Sequence, residues 1–202
     1  MSQTLNRLKE SPSQTAGPYV HIGLTPNFCG ISGVYPQDLG ASMVNDRTRG
    51  ERIRLRMRVI DGANTPLKDA LIEIWQADAD GLYNSPSETR GAADPNFAGW
   101  GRKPADMDSG ECVFETVKPG RVPFRDGRPQ APHITVWVVA RGINIGLHTR
   151  MYFADEANAE DPILQRLEHK NRIPTLLATR DGDAYVFDIR LQGDDETVFF
   201  DI

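Results

Sequence analysis

Four positions of this chain stand in the setting of a metal site, but only two of them carry a side chain that binds metals well. Tyr83 and His133 supply a phenol and an imidazole, whereas Val122 and Thr135 occupy places where further ligands are expected. Valine has no donor atom, and the threonine hydroxyl is a poor neutral donor. The chain is therefore expected not to hold a metal ion by itself, and we refer to these four positions as the ligand positions.

Other catalytic arrangements find little support. The sequence contains no Gly-x-Ser-x-Gly motif, and its histidines lack the spacing of paired zinc ligands such as His-Glu-x-x-His. A homomeric metal enzyme would need a complete ligand set in one chain. A hydrolase and a self-sufficient metal enzyme are therefore disfavoured. The four histidines are His21, His133, His148 and His169.

Length and composition favour one soluble domain spanning 1–202, with an N-terminal arm over about 1–20. The chain has 202 residues, of which 39% are hydrophobic, and a net charge of -5. That charge disfavours nucleic acid or an anionic membrane as the main partner. The polar N-terminus lacks the features of a signal peptide, and no apolar run approaches the length of a membrane span. Cys29 and Cys112 are expected to stay reduced, so the predicted location is the cytoplasm.

The periodicity predicts a mainly β protein, an antiparallel β-sandwich with long loops and one or two short helices near the C-terminal third. Alternating or β-branched segments bounded by Gly, Pro or Asp are typical of strands. Asp161 before Pro162 predicts a helix start leading into 163–167, and 174–178 predicts a further turn or two. Two long segments, about 24–50 and 84–110, show no sustained periodicity. The predicted strands are Arg52–Ile60, Leu71–Trp75, His133–Ala140, Thr149–Phe153 and Tyr185–Leu191.

The strand at 52–60 carries an arginine face opposite its apolar face. Arg52, Arg54, Arg56 and Arg58 alternate with apolar residues. Such a stripe pairs with the acidic residues of a partner or protects an edge strand from aggregation. The sequence leaves both interpretations open.

Several motifs occur in order along nearly the whole chain, from Pro12–Tyr19 to Glu196–Asp201. They are Leu71–Tyr83, Thr116–Gly120, Ala131–Thr135 and Tyr185–Gly193. Together they give the chain a resemblance to the intradiol ring-cleaving dioxygenases. Within that family it most resembles the alpha chains, which bind no iron.

The resemblance implies a specific identity for the ligand positions. Iron-binding members hold a non-haem Fe(III) ion with two tyrosinates and two histidines, a hard anionic donor set that suits ferric iron. Tyr83 and His133 match one ligand of each kind, while Val122 and Thr135 replace the other two. Gln130 aligns with an arginine that iron-binding chains use in catalysis. A third functional position has therefore changed.

For an alpha chain, the resemblance implies a partner and a shared site. The iron-bearing beta chain would hold Fe(III), and this chain would line its pocket for O2 and the catechol carboxylate protocatechuate, within a larger symmetric αβ assembly. The residues expected to bind substrate are Thr15, Gly17, Pro18, Tyr19 and Arg141. A fixed turn at Gly17-Pro18 would bring backbone close to a ligand, and the Arg141 cation would favour binding of the substrate carboxylate.

Each of these residues also has an interpretation that needs no partner. Gly-Pro-Tyr near an N-terminus is usually only a turn. Arg141 and Arg150 would ordinarily be solvated surface charges, an interpretation we favour for Arg150. Tyr83 and His133 would be structural relics, hydrogen-bonded in or near the core. The alternative function is a non-catalytic binding or scaffold module derived from the dioxygenase fold.

Overall fold

The computed structural model describes residues 15–144 and 146–201, in which one short helix precedes eight strands. The first 14 residues of the predicted arm lie outside the described residues. Helix α1 spans Pro18–Leu24. The strands are β1 Arg52–Ile60, β2 Leu71–Trp75, β3 Trp100–Pro104, β4 Glu111–Val117, β5 His133–Val139, β6 Leu147–Phe153, β7 Leu177–Asp181 and β8 Ala184–Arg190.

The strands form one folded sheet in the order β3-β2-β5-β6-β7-β8-β1-β4. Its halves meet where β6 pairs with β7 over only two residue pairs, Tyr152 with Leu177 and Phe153 with Ala178. The prediction of a mainly β, sandwich-like fold is confirmed. Most neighbouring strands pair antiparallel, while β1 with β8 and β6 with β7 are parallel.

Both halves of the sheet contribute to one hydrophobic core. In β1 the four alternating apolar residues are at most 3% exposed. Because side chains alternate across a strand, they face inward while the arginines face outward. The same alternation places the odd-numbered residues of β5, including positions 133 and 135, on the outer face of the sheet. Core residues from the other strands include Ile72, Ile74, Phe114, Ile134, Val136, Met151, Phe153, Tyr185 and Phe187.

The arginine face of β1 pairs within the chain. Since β1 lies between β8 and β4, it is not an edge strand, and the interpretation as an edge guard was wrong. The neighbouring strands supply the acids. The ion pairs are Arg54 with Glu115 at 2.8 Å, Arg56 with Glu111 at 2.7 Å and Arg58 with Asp188 at 2.8 Å.

The late helices are short and of the 3-10 type. The carboxylate of Asp161 accepts hydrogen bonds from the backbone N–H groups of Ile163 at 2.8 Å and Leu164 at 3.0 Å, as expected for a residue that precedes a helix. The helix itself begins at Leu164, two residues later than predicted. The helices cover Leu164–Arg166 and Lys170–Leu176. The prediction for 174–178 was placed too late, since Leu177 begins β7.

Candidate functional site

A buried carboxylate fixes the turn that delivers Tyr83 to the outer face of the sheet. Asp78 is 2% exposed. One of its carboxylate oxygens accepts hydrogen bonds from the backbone N–H groups of Asp80 at 3.0 Å and Leu82 at 2.9 Å. The other accepts from the N–H of Asp94 at 2.8 Å. A short polar side chain that satisfies three backbone donors closes the turn immediately before Tyr83.

The tightest point of this turn is a glycine. Gly81 has a φ of +77°, and a Cβ placed there would lie 2.2 Å from the backbone oxygen of Arg121. Only glycine avoids both the left-handed strain and the collision. The phenol ring of Tyr83 then stacks on the indole of Trp75, with ring centroids 6.0 Å apart and planes 4° apart. The position of the phenol is thus set by backbone packing and by an aromatic contact.

His133 is held by a relay through the backbone of Ala131. Its Nδ1 donates to the Ala131 carbonyl at 2.8 Å, and the carboxylate of Asp161 accepts from the Ala131 N–H at 2.8 Å. The imidazole is 5% exposed and lies 5.7 Å from the ring of Tyr152. Burial, with the nearby charge of Arg150, lowers the pKa of His133 to about 4. The residue is therefore a neutral imidazole at neutral pH, with Nε2 carrying the lone pair.

A short hairpin places Val122 beside Gln130. The N–H of Gln130 donates to the carbonyl of Val122 at 2.8 Å, and its side-chain amide donates to the carbonyl of Pro123 at 3.2 Å. Both residues line a cavity of about 420 Å³ that Tyr83 and Trp75 also line. The structure therefore brings positions 83, 122 and 130 to one cavity.

Thr135 lies on β5 between Trp75 of β2 and Arg150 of β6. It pairs in register with Trp75 on β2 and with Arg150 on β6. Arg150 donates from Nη1 to the side-chain oxygen of Gln130 at 2.8 Å. This half-buried contact corrects the favoured interpretation of Arg150 as a solvated surface charge.

The charge of Arg150 acts on the phenol as well as on the imidazole. Burial raises the pKa of Tyr83, and the charges of Arg150 and Arg90 oppose that rise. Burial and the charge of Asp161 raise the pKa of Tyr152, which Arg150 again opposes. One guanidinium thus lies within electrostatic reach of several of the residues that converge here.

The residues at the ligand positions do not fit a ferric ion. Tyr83 and His133 offer two donors, the side chain of Val122 is apolar and 4% exposed, and Thr135 has only a hydroxyl. Within residues 15–144 and 146–201, no three His, Cys, Asp or Glu side chains lie close enough together to hold a metal. A fixed guanidinium on the adjacent strand would in addition repel a cation. No chemistry that depends on a metal is assigned to this site.

Three of the residues expected to bind substrate, Thr15, Gly17 and Arg141, lie together at a different place. The hydroxyl of Thr15 accepts a hydrogen bond from the N–H of Gly142 at 2.8 Å. Gly17 and Arg141 both line a second, mostly apolar cavity of about 440 Å³. Arg141 is 78% exposed and pairs with Asp69 at 3.2 Å. The structure thus joins the described part of the arm to the loop that follows β5.

The predicted turn at Gly17-Pro18 is instead the start of a helix. Gly17 has φ -122° and ψ -172°, an extended conformation open to any residue, and Pro18 takes the first turn of α1. Tyr19 is 84% exposed. The backbone therefore enters a helix where a tight turn was expected, while Tyr19 remains free to contact another molecule.

The two groups of residues lie at opposite ends of β5. His133 is its first residue, and Arg141 lies two residues beyond its last residue, Val139. At the rise of an extended strand, eight residues span roughly 25 Å. Arg141 and Thr15 therefore cannot act on a ligand held at the ligand positions of their own chain.

Large apolar side chains are exposed around the second cavity. Such a concentration on a small protein usually marks a surface that contacts another molecule. Ile22 is 40%, Phe28 is 44% and Met107 is 60% exposed, and all three line the cavity with Arg141. Four more apolar residues are exposed in the segment between α1 and β1, which also carries Phe28. They are Ile31, Val34, Tyr35 and Leu39.

The sequence pointed to Tyr83 and His133 but largely missed the residues that hold their segments in place. Asp78 and Asp161 hold the segments that carry Tyr83 and His133, but only the helix start at Asp161-Pro162 gave a local signal. Arg150 gave none, because its role depends on which strand lies beside it.

In the part of the chain that the structure describes, no helix is long and apolar enough to cross a membrane.

Comparison with known proteins agrees with this geometry. Residues 25–193 match the profile of a family described as Dioxygenase. The chain is 46% identical over 200 residues to the protocatechuate 3,4-dioxygenase alpha chain of Pseudomonas putida, covering 96% of this chain and 97% of that protein. It is 36% identical over 179 residues to the protocatechuate 3,4-dioxygenase beta chain of Burkholderia cepacia, covering 82% and 75%.

A solved structure shows the same fold. The dioxygenase domain of a dioxygenase carbohydrate-binding protein fusion from Streptomyces sp. SirexAA-E superposes with a TM-score of 0.55 at 26% identity, covering 75% of this chain and 86% of that one. The strand order and the extent of these matches lead to one conclusion. The chain belongs to the intradiol ring-cleaving dioxygenase family.

Proposed function

We propose that this chain is the non-iron-binding alpha subunit of a protocatechuate 3,4-dioxygenase and lines the active site of an iron-bearing beta subunit. The names of the relatives support this, since the alpha chain of Pseudomonas putida matches at 46% identity and a beta chain at 36%. The ligand positions support it too, because they lack the donors for ferric iron. The chain would act as one domain with an N-terminal arm.

One observation carries the proposal. The arm and Arg141 form a cavity with an exposed apolar rim, about the length of β5 away from the chain's own ligand positions. If the arm and Arg141 bind substrate, as the family resemblance implies, they lie too far from their own ligand positions to act there and would complete the site of another chain. The exposed apolar side chains of Ile22, Phe28 and Met107 fit contact with that chain.

The chemistry of the substrate fits this cavity. Protocatechuate carries a carboxylate opposite its two hydroxyl groups, and the guanidinium of Arg141 is a fixed cation that can bind a carboxylate through two hydrogen bonds. The beta subunit would hold the non-haem Fe(III). The complex would insert both atoms of O2 between the hydroxyl-bearing carbons and open the ring to 3-carboxy-cis,cis-muconate.

The proposal also covers assembly and location. An αβ pair repeated with closed symmetry would bury the apolar residues of the long loops. The exposed Cys29 and the buried Cys112 are both free thiols. They would stay reduced in the cytoplasm, where the complex is proposed to act.

The test is Arg141→Ala in the complex co-expressed with its iron-bearing beta subunit. Loss of a charged contact is expected to raise KM for protocatechuate by an amount equivalent to about 1–3 kcal/mol, with iron content and assembly unchanged. Catechol, which lacks the carboxylate, should lose much less. Arg180→Ala is the matched control, because Arg180 is a half-exposed arginine on β7, in the other half of the sheet.

The same variant separates the two candidate functions. A non-catalytic scaffold module would support assembly but would not contact substrate. Unchanged kinetics for Arg141→Ala across the substrate range would therefore refute the shared-site proposal and favour the scaffold. A loss that is equal for catechol and protocatechuate would refute the contact between Arg141 and the carboxylate.

A further inference from the structure

The residues around the ligand positions converge on a guanidinium. Arg150 projects from β6 and donates to the side chain of Gln130 at 2.8 Å. Its register partner on β5 is Thr135, one of the two ligand positions that lost its donor. The residue paired with Thr135 therefore carries a permanent positive charge.

The surviving donors lie within reach of the same charge. His133 is two residues from Thr135 on the outer face of β5, and Tyr152 pairs with it in register. Tyr83 stacks on Trp75, the other register neighbour of Thr135. The guanidinium bonds directly to the carboxamide of Gln130, and its charge reaches the phenol of Tyr83 and the imidazole of His133. Gln130 shares a cavity with Tyr83 and with the buried Val122.

A guanidinium and a ferric ion exclude each other in such a space. Both are cations, and like charges a few ångströms apart in a partly buried site repel strongly. The guanidinium is never deprotonated, so pH cannot remove this repulsion. Its five N–H donors bond to neutral oxygens without any need for anionic ligands.

We propose that the guanidinium of Arg150 is the resident cation of this site and takes the place of the ferric ion of iron-binding relatives. It follows that restoring the two missing ligands would not by itself let iron bind, because Arg150 would still keep the metal out. This inference rests on the ligand positions and not on the role proposed for Arg141 or for a partner. The kinetics of the Arg141 variant therefore test a different claim.

The direct test restores the ligands with and without the cation. The full-length chain carrying Val122→Tyr and Thr135→His is compared with the same chain carrying in addition Arg150→Met or Arg150→Lys. Each is incubated with Fe(II) in air and desalted. Bound iron is then measured by mass spectrometry and by the visible absorption of iron-bound tyrosinate. The chain with both ligands and Arg54→Met is the matched control, because Arg54 lies on the outer face of β1.

The inference predicts iron in one variant only. Iron per chain should rise at least about tenfold in the Arg150→Met background over the Arg150, Arg150→Lys and Arg54→Met backgrounds. Iron binding with Arg150 intact would overturn the inference. So would equal iron content in the Met and Lys backgrounds, and so would a folded Met variant that takes up no iron.

A second measurement needs no restored ligands. Arg150→Met and Arg150→Lys are made singly, and their melting temperatures are compared. If the positive charge matters, the fall in melting temperature for Arg150→Lys should be at most half of the fall for Arg150→Met. If Arg150 acts only through packing, the two variants should be equally destabilised, which would contradict the inference. Gln130→Leu removes the acceptor of the Arg150 hydrogen bond, so a difference between Lys and Met that disappears in this background would assign the effect to that bond and would also contradict the inference.

Discussion

The buried imidazole of His133 should make this protein less stable as the pH falls from about 6.5 to about 4. Burial and the charge of Arg150 lower its pKa from 6.5 to about 4 in the folded state. The unfolded chain then binds a proton below pH 6.5 that the folded chain does not bind until about pH 4. Stability from the neutral imidazole is therefore fully present above pH 6.5 and is lost through this window.

The size of the effect follows from the shift. At 1.36 kcal/mol per pKa unit, a fall from 6.5 to about 4 corresponds to a loss of about 3 kcal/mol in the free energy of unfolding. His133→Gln removes the titration and keeps a donor for the Ala131 carbonyl. The variant should be less stable at pH 7.5 but should show a flatter dependence on pH.

The assay is urea unfolding of the parent and the variant between pH 7.5 and 4.5, followed by circular dichroism. His169→Gln is the control, because it makes the same substitution at an exposed histidine. If the parent and His133→Gln lose stability in parallel over this range, the buried neutral imidazole is not the cause. The assigned environment of His133 would then be wrong.

Two further changes test the supports of the fold. Gly81→Ala places a Cβ 2.2 Å from the oxygen of Arg121 at a φ of +77°, and should cost about 2–4 kcal/mol in unfolding free energy. Gly127→Ala has a similar φ of +83° but open space around it, so a loss as large would disprove the collision. Lys118, 14% exposed, bonds to Glu156 at 2.7 Å, and Lys118→Met should cost about 2–4 kcal/mol at pH 7 by leaving carboxylates unpaired. Lys118 also pairs with Asp155 at 3.4 Å; burial opposes the shift, but the Tyr185 hydroxyl and the Lys118 charge hold the pKa of Asp155 below its usual 3.8, so part of the loss should disappear as the pH falls through that lowered value. Lys68→Met, at an exposed site, should change little, and equal effects of the two would refute the ion-pair role.

Five strands could be predicted because their own residues carry the signal. In β1 and β5, alternating or β-branched side chains bury one face whatever strand lies beside them. Strand β3 has no such pattern, since its inward residue Gly101 has no side chain and instead admits Met43 and Phe114. Strand β7 is polar over most of its length and is ordered by pairing with β8.

Some residues of the candidate site could likewise be predicted from local motifs, whereas others could not. Tyr83 and His133 lie in motifs that can be recognised locally. Tyr83 shares a cavity with Val122, and His133 lies two residues before Thr135 on β5. Arg150 could not be found from the sequence, because it meets Thr135 only through the register of β5 with β6. Contacts between residues distant in the chain are set by sheet pairing, which a local pattern does not encode.

The central claim is that this chain needs an iron-bearing partner to take part in catalysis. The most direct measurement is iron content and protocatechuate-dependent oxygen uptake of the purified chain, alone and co-expressed with the beta chain from the same source. The account predicts neither iron nor activity for the chain alone, and both in a stable co-purified complex. Stoichiometric iron with activity in the chain alone would contradict it.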